Sequence, residues 1–182
     1  IYFIAQLTKT KSLEQIQFFG PFVKLKRIGL KNTTITVNKF RTIHPYSEFI
    51  QKSVYEKNSL DKSGKLKDDF RITNWGKIMR KLWIDELPQF VNWLQGDLAL
   101  VGVRPLSKHY NSLYPEDLQE LRTKFKPGII PPYYADMPKN FDQILESERK
   151  YLFKKSEKPF STDFKYFWKV FANIVFGGAR SQ

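Results

Sequence analysis

The run Arg71-Ile-Thr-Asn-Trp-Gly-Lys-Ile-Met-Arg80, continued by Lys81-Leu-Trp-Ile-Asp85-Glu-Leu-Pro-Gln89, decides how this chain is read. Thr73 or Asn74 is a residue type that caps helices, because its side-chain oxygen accepts from a backbone N–H that the first turn leaves unpaired. Trp75, Ile78, Met79, Leu82 and Trp83 then recur at helical spacing on one face. Asp85-Glu86-Leu87-Pro88 interrupts the pattern. Proline is tolerated in a first turn and not in a helix interior, so a second short helix is expected here, running through Phe90, Val91 and Leu94 to a stop at Gly96.

Asp85 and Glu86 therefore fall at a predicted helix start, where unpaired N–H groups and the helix dipole favour an anion. A carboxylate in that field is expected to stay ionised at neutral pH, as a nucleophile or metal ligand requires. Arg80 lies five residues upstream, and Arg104 follows in Gly102-Val103-Arg104-Pro105. Guanidinium forks match phosphate oxygens, so carboxylates and arginines together point to metal-assisted chemistry on a phosphate ester. The same residue types also serve as ordinary acidic caps paired with arginine, and their chemistry alone does not choose between the two.

On either side of this stretch the pattern changes. Phe22-Val-Lys-Leu-Lys26 and Thr34-Ile-Thr-Val37 alternate around a turn-forming segment at Gly29 to Asn32, the signature of a β-hairpin. Residues 44–70 are polar and carry both charge signs, reading as a long connection with a short helix near Tyr46 to Tyr55. Tyr114-Pro-Glu-Asp117 opens another helix that ends before Lys126-Pro-Gly128, and Pro131, Pro132 and Pro138 keep the next stretch irregular. Thr162 is positioned to cap a last helix carrying Phe164, Phe167, Trp168, Phe171, Ile174 and Val175. That face could pack on a core or sit at a lipid interface. The fold class expected is α+β, mostly helical with a small hairpin, in one domain over residues 1–182.

Composition bounds the chemistry. The chain has 182 residues, with 31 Lys+Arg against 18 Asp+Glu, a formal net charge of +13 that favours an anionic partner. No cysteine is present, which excludes disulfides, thiolate catalysis and cysteine metal sites. His44 and His109 are too far apart in sequence to form a recognisable zinc motif. The first 41 residues hold eight Lys and Arg against Glu14 alone, next to an apolar start, Ile1-Tyr-Phe-Ile-Ala5. We read that start as the end of a longer, membrane-embedded segment, with the basic stretch facing an anionic membrane surface. A nucleic-acid binder is the rival reading of the charge, but no recognised binding motif supports it.

The quoted stretch, with Asn92-Trp-Leu-Gln-Gly96-Asp97 and Val101-Gly-Val-Arg104-Pro105, resembles the core signature of the bacterial sugar transferases, the monotopic phosphoglycosyl transferases. Arg27-Ile-Gly29 and Lys39-Phe-Arg-Thr-Ile43 resemble that family's upstream motif, and Lys126-Pro-Gly-Ile129 its downstream one. The resemblance implies transfer of a sugar-1-phosphate from a UDP-sugar to undecaprenyl phosphate, a polyprenyl phosphate, with release of UMP. It implies Asp85 as the nucleophile that carries the phosphosugar, Glu86 as the ligand of a Mg²⁺ cofactor, and Arg80, Arg104, Lys39 and Arg41 as phosphate-binding residues. It further implies work at the cytoplasmic face of the bacterial inner membrane, without nucleic acid, and leaves a homo-oligomer open.

Two departures stand out. The family's usual Gly-Pro-Arg-Pro reads Gly102-Val-Arg-Pro105 here, with the arginine kept. Its usual Pro-Gly-Ile-Thr-Gly-Trp-Ala-Gln-Val-Asn-Gly-Arg is replaced by Pro127-Gly-Ile-Ile-Pro-Pro-Tyr-Tyr-Ala-Asp-Met-Pro-Lys139, which leaves Lys139 as the nearest substitute for the terminal arginine. Tyr133, Tyr134 and Lys139 are accordingly expected on the nucleotide-sugar side of the site, the alternative being that the tyrosines only pack the loop onto the core, and Glu148 is expected where the family carries an aspartate. A fold that has kept its shape and lost activity is the remaining alternative, and the changed loop is what sustains it.

Overall fold

The computed structural model describes residues 20–44, 47 and 70–176. The apolar start and the expected helix near Tyr46 to Tyr55 lie outside the described residues. Strand β1 (Phe22–Ile28) pairs antiparallel with β2 (Thr34–Phe40), Leu25 opposite Val37 and Val23 opposite Lys39, so the hairpin forms where the alternation puts it. Period-two geometry sorts its side chains: Val23, Leu25 and Arg27 share one face with Val37 and Lys39, while Phe22, Lys24 and Lys26 are exposed.

Helix α1 (Asn74–Lys81) is capped by Thr73, whose side chain accepts from the Gly76 N–H. A 3₁₀ turn (Ile84–Glu86) and α2 (Gln89–Leu94) follow, and Gly96 beyond them takes φ +80. Three residues of β3 (Ala99–Val101) pair in parallel with β4 (Gly128–Ile130), a sheet with no forewarning in the sequence reading. The two strands meet through glycine. A Cβ built on Gly128 would lie 2.1 Å from the Gly102 backbone nitrogen, so this approach admits no side chain. Between the strands run α3 (Lys108–Asn111) and α4 (Glu116–Thr123), and a 3₁₀ turn (Pro132–Ala135) leads into α5 (Phe141–Glu157) and α6 (Pro159–Val175).

The main core gathers Val101, Leu118, Tyr151, Leu152, Tyr166 and Val170 from β3, α4, α5 and α6, with a smaller cluster of Val37, Leu98 and Ile129 under the hairpin. A buried polar set ties α5, α6 and β3 together: Lys155 Nζ donates to Asp163 at 2.9 Å and to the Val101 carbonyl at 3.2 Å. The architecture is α+β and mostly helical, as expected.

Two expectations are corrected. Helix α6 begins at Pro159, not at Thr162, which lies inside it and donates to the Lys154 carbonyl. Proline at a first helical position is the better start signal here. The face of α6 read as one stripe divides: Tyr166 and Val170 are buried with Phe167 and Ile174 beside them, while Phe164, Trp168, Phe171 and Val175 are exposed. The apolar side of α1 is likewise uncovered, with Trp75, Ile78 and Leu82 all exposed and Gly76 its one buried residue.

Candidate active site

The site is assembled from three pieces. The hairpin supplies Lys39 and, just beyond β2, Arg41; α1 and the acidic turn supply Arg80, Asp85 and Glu86; the segment after β3 supplies Arg104. All six line one cavity of about 440 Å³. Its other wall is apolar and carries Val23, Leu25, Val37 and Ile129.

Each piece is pinned by contacts between residues far apart in sequence. Asn92 on α2 is 1% exposed; its Oδ1 accepts from the Asn38 N–H at 3.0 Å and its Nδ2 donates to the Thr36 carbonyl at 2.7 Å. That clamp holds α2, and the acidic turn before it, against β2. Arg80 Nε donates to Thr42 Oγ1 at 3.0 Å, and the Thr73 N–H to the Thr42 carbonyl at 3.0 Å, fixing α1 to the end of the hairpin. A Cβ on Gly76 would lie 2.1 Å from that same carbonyl, so α1 approaches this closely only because the residue is glycine.

The acidic turn opens on Trp83, which sits in the left-handed region at φ 62, ψ 12. For a bulky side chain that conformation costs roughly 1–2 kcal/mol, and such strain collects where a functional side chain must be aimed. The Glu86 N–H donates back to the Trp83 carbonyl at 3.3 Å and closes the turn. Lys39 Nζ meets Glu86 Oε1 at 2.6 Å, and Gln89 Nε2 donates to Glu86 Oε2 at 2.9 Å. Glu86 is thereby oriented from both sides. Asp85 is 5% exposed, and its Oδ1 is buried with no hydrogen-bond partner among the described residues.

The electrostatics correct the sequence expectation for Asp85. It lies within a 3₁₀ turn and not at the N-terminus of a long helix. Burial lifts its carboxyl above the ordinary aspartate range, with the Lys39 ammonium and Arg80 pulling the other way and Glu86 adding to the rise. Burial lowers the Lys39 ammonium, opposed chiefly by Glu86. Arg104 stays firmly charged, raised mainly by Tyr133.

Arg27, which the sequence placed only within the upstream motif, is a further cation of the cavity. It lines the same cavity and shares the strand face of Val23 and Leu25, so alternation along β1 is the signal that would have found it. Burial and the neighbouring Arg104 lower its guanidinium. Lys139 stands apart: it is exposed, does not line the cavity, and gives its backbone N–H to Gln143 Oε1 at 2.8 Å. Tyr133 and Tyr134 also lie outside the lining, packed behind it. Glu148 is fully buried against Arg122, away from the carboxylate pair.

Among the described residues no three His, Cys, Asp or Glu side chains cluster to hold a metal. Mg²⁺ does not need such a cage, since it keeps several waters and takes one or two carboxylates together with substrate phosphates. The adjacent carboxylates, and the partnerless Asp85 Oδ1 in particular, fit that demand.

The cavity thus sets a carboxylate pair among cations, groups whose chemistry suits phosphate oxygens, opposite an apolar wall. The sequence matches the bacterial sugar transferase family over residues 2–177, and the chain belongs to that family. It is 38% identical over 144 residues to the galactosyl transferase CpsE of Streptococcus agalactiae serotype III (strain NEM316), a match covering 73% of this chain and 30% of that protein. It is 44% identical over 108 residues to the uncharacterized sugar transferase EpsL of Bacillus subtilis (strain 168), covering 59% and 47%. To the UDP-glucose:undecaprenyl-phosphate glucose-1-phosphate transferase of Klebsiella pneumoniae it is 36% identical over 128 residues, covering 69% and 24%. The matched stretches span less than half of each of these relatives.

Proposed function

We propose that this chain carries the catalytic machinery of a phosphoglycosyl transferase that moves a sugar-1-phosphate from a UDP-sugar to a polyprenyl phosphate. The observation that carries the reading is the meeting of Asp85 and Glu86 with Lys39, Arg41, Arg80 and Arg104 in one cavity. The name of the Klebsiella relative supports the same donor and acceptor classes.

In this reading an Asp85 oxygen attacks the phosphorus that bears the sugar. The bond from that phosphorus to the UMP oxygen breaks, UMP leaves with the electron pair, and the sugar-phosphoryl group is esterified to Asp85. An oxygen of the lipid phosphate then attacks the same phosphorus, the bond to Asp85 breaks, and the carboxylate is regenerated beside a polyprenyl diphosphate-sugar. Arg80, Arg104, Lys39 and Arg41 bind the phosphate oxygens, and Lys39 keeps Glu86 turned into the site. Glu86, with Asp85, would hold Mg²⁺, which when bound neutralises charge on the diphosphate and the departing UMP. Release of UMP from a panel of UDP-sugars, dependent on polyprenyl phosphate, tests the reading; no release from any of them in membranes holding the folded protein would refute it.

A pH profile follows from the electrostatics. The attacking group must be ionised, so activity falls as pH drops through the Asp85 pKa, which burial has raised. The acid limb of kcat/KM is therefore expected above the range of an ordinary aspartate. Lys39→Met removes the largest influence holding that pKa down and should move the limb higher still, alongside a loss of rate. A limb that stays in place in Lys39→Met contradicts the assignment of that limb to Asp85.

We further place the protein at the cytoplasmic face of the inner membrane, against an anionic surface. Among the described residues no helix is long and apolar enough to cross a membrane. Support comes from exposed Trp75 and Ile78 on α1 and Trp93 and Leu94 on α2, the helices flanking the acidic turn, in a chain of charge +13. Vesicles containing anionic lipid should retain the protein, with binding that weakens as salt rises. Equal binding to neutral and anionic vesicles would rule out the electrostatic part.

A further inference from the structure

Behind the cavity, four side chains form a continuous line from the acidic turn to Arg104. Trp83, the left-handed residue that opens the turn, meets Tyr134 edge to face with centroids 4.9 Å apart. Tyr134 packs on Tyr133 at 4.5 Å, and the Tyr133 hydroxyl lies 3.4 Å from Arg104 Nη1. The line is braced from outside, because Asn173 on α6 donates its Nδ2 to the carbonyls of Tyr134 at 2.8 Å and Ala135 at 3.1 Å. Both tyrosines come from the 3₁₀ turn Pro132–Ala135, inside the segment that departs from the family's usual sequence.

We infer that Tyr134 and Tyr133 are positioning residues: a rigid aromatic wedge that sets the spacing between the Asp85 turn and Arg104. The inference rests on the proposed function and adds to it a role for the altered loop. Without the wedge, the Trp83 ring loses its Tyr134 neighbour and only the turn's own hydrogen bonds hold its strained backbone, so the carboxylate beside it is aimed less firmly. At the other end the guanidinium of Arg104 loses one of the contacts that hold it, the Tyr133 hydroxyl. An attacking carboxylate and the cation that receives the phosphate must be held together within a fraction of an ångström, which is where a wedge acts on rate more than on affinity. The loop thus contributes packed rings behind the site, where the family pattern has a further arginine at its end.

The test uses the full protein with polyprenyl phosphate and whichever UDP-sugar of a panel gives the fastest UMP release. Tyr134→Leu keeps bulk and removes the ring; Tyr134→Phe keeps the ring. We expect Tyr134→Leu to lower kcat about 10- to 100-fold with the sugar-nucleotide KM within about threefold, and Tyr134→Phe to recover most of the loss. A folded Tyr134→Leu with wild-type kcat, or a Tyr134→Phe no better than it, overturns the wedge, as does a loss in Tyr134→Leu that falls on KM and leaves kcat unchanged. Asp85→Asn measured in parallel separates the two readings. If it stays active, the role proposed for Asp85 fails; if it is inactive while Tyr134→Leu is normal, only the wedge fails.

Discussion

Asp85→Asn should abolish turnover, by roughly 10⁴-fold or more, and leave the fold intact. Asparagine matches aspartate in size and removes only the attacking charge, so the packing of a residue that is 5% exposed is preserved. Stability should not suffer. Burial raises the Asp85 carboxyl, meaning that the folded state disfavours its ionised form, and a neutral amide relieves that cost. A thermal transition at or above the wild-type value, with UMP release at background, is the expected pair of results. Near-normal turnover would remove Asp85 from the chemistry. The neighbouring Glu86 differs in setting: Lys39 and Gln89 each hold one of its oxygens, whereas Asp85 Oδ1 has no hydrogen-bond partner among the described residues.

The second large effect lies away from the cavity. Glu148 is fully buried and pairs with Arg122, itself 6% exposed. Arg122 also donates through Nη2 to the Arg104 carbonyl at 2.5 Å and lies 4.8 Å from the Tyr114 ring centre. Glu148→Ala strands a buried guanidinium, a change that typically costs about 3–5 kcal/mol. Replacing both partners, as Arg122→Met with Glu148→Leu, should recover most of that stability, because an apolar pair of similar volume needs no compensation. Activity should not recover with it, since Arg122→Met takes away the donor to the Arg104 carbonyl. Urea unfolding of the single and double variants checks the first statement and UMP release the second. A single variant that loses less than about 1 kcal/mol would show that the pair carries little of the fold.

What the sequence revealed and what it withheld follow a physical line. The hairpin, the Thr73 cap, the acidic turn and the stop at Gly96 announce themselves locally, through alternation, a capping hydroxyl, a proline and a glycine at φ +80. Each needs only neighbours within a few residues. The contacts that make those elements into a site join distant residues: Asn92 to the hairpin, Arg80 to Thr42, Arg122 to Glu148. No spacing rule announces such pairs. Strands β3 and β4 have three residues each, too short to alternate visibly, and their pairing depends on the Gly102–Gly128 approach. Periodicity found the apolar side of α1 but could not say that nothing in the described chain covers it. Asp85, Glu86, Arg80, Arg104, Lys39 and Arg41, named through the resemblance, all line one cavity, while Lys139, chosen only as the nearest basic residue to a missing arginine, lies outside it.

The central claim is that Asp85 itself carries the sugar-phosphate between donor and lipid. Incubating the protein with Mg²⁺ and the active UDP-sugar, without polyprenyl phosphate, followed by rapid acid quench and peptide mass spectrometry, tests it most directly. The account predicts up to one UMP released per chain and a sugar-phosphate mass on the peptide holding Asp85, discharged on adding the lipid phosphate and absent in Asp85→Asn. Rapid lipid-dependent turnover with no such adduct at any time, and UMP formed only when both substrates are present, would contradict it.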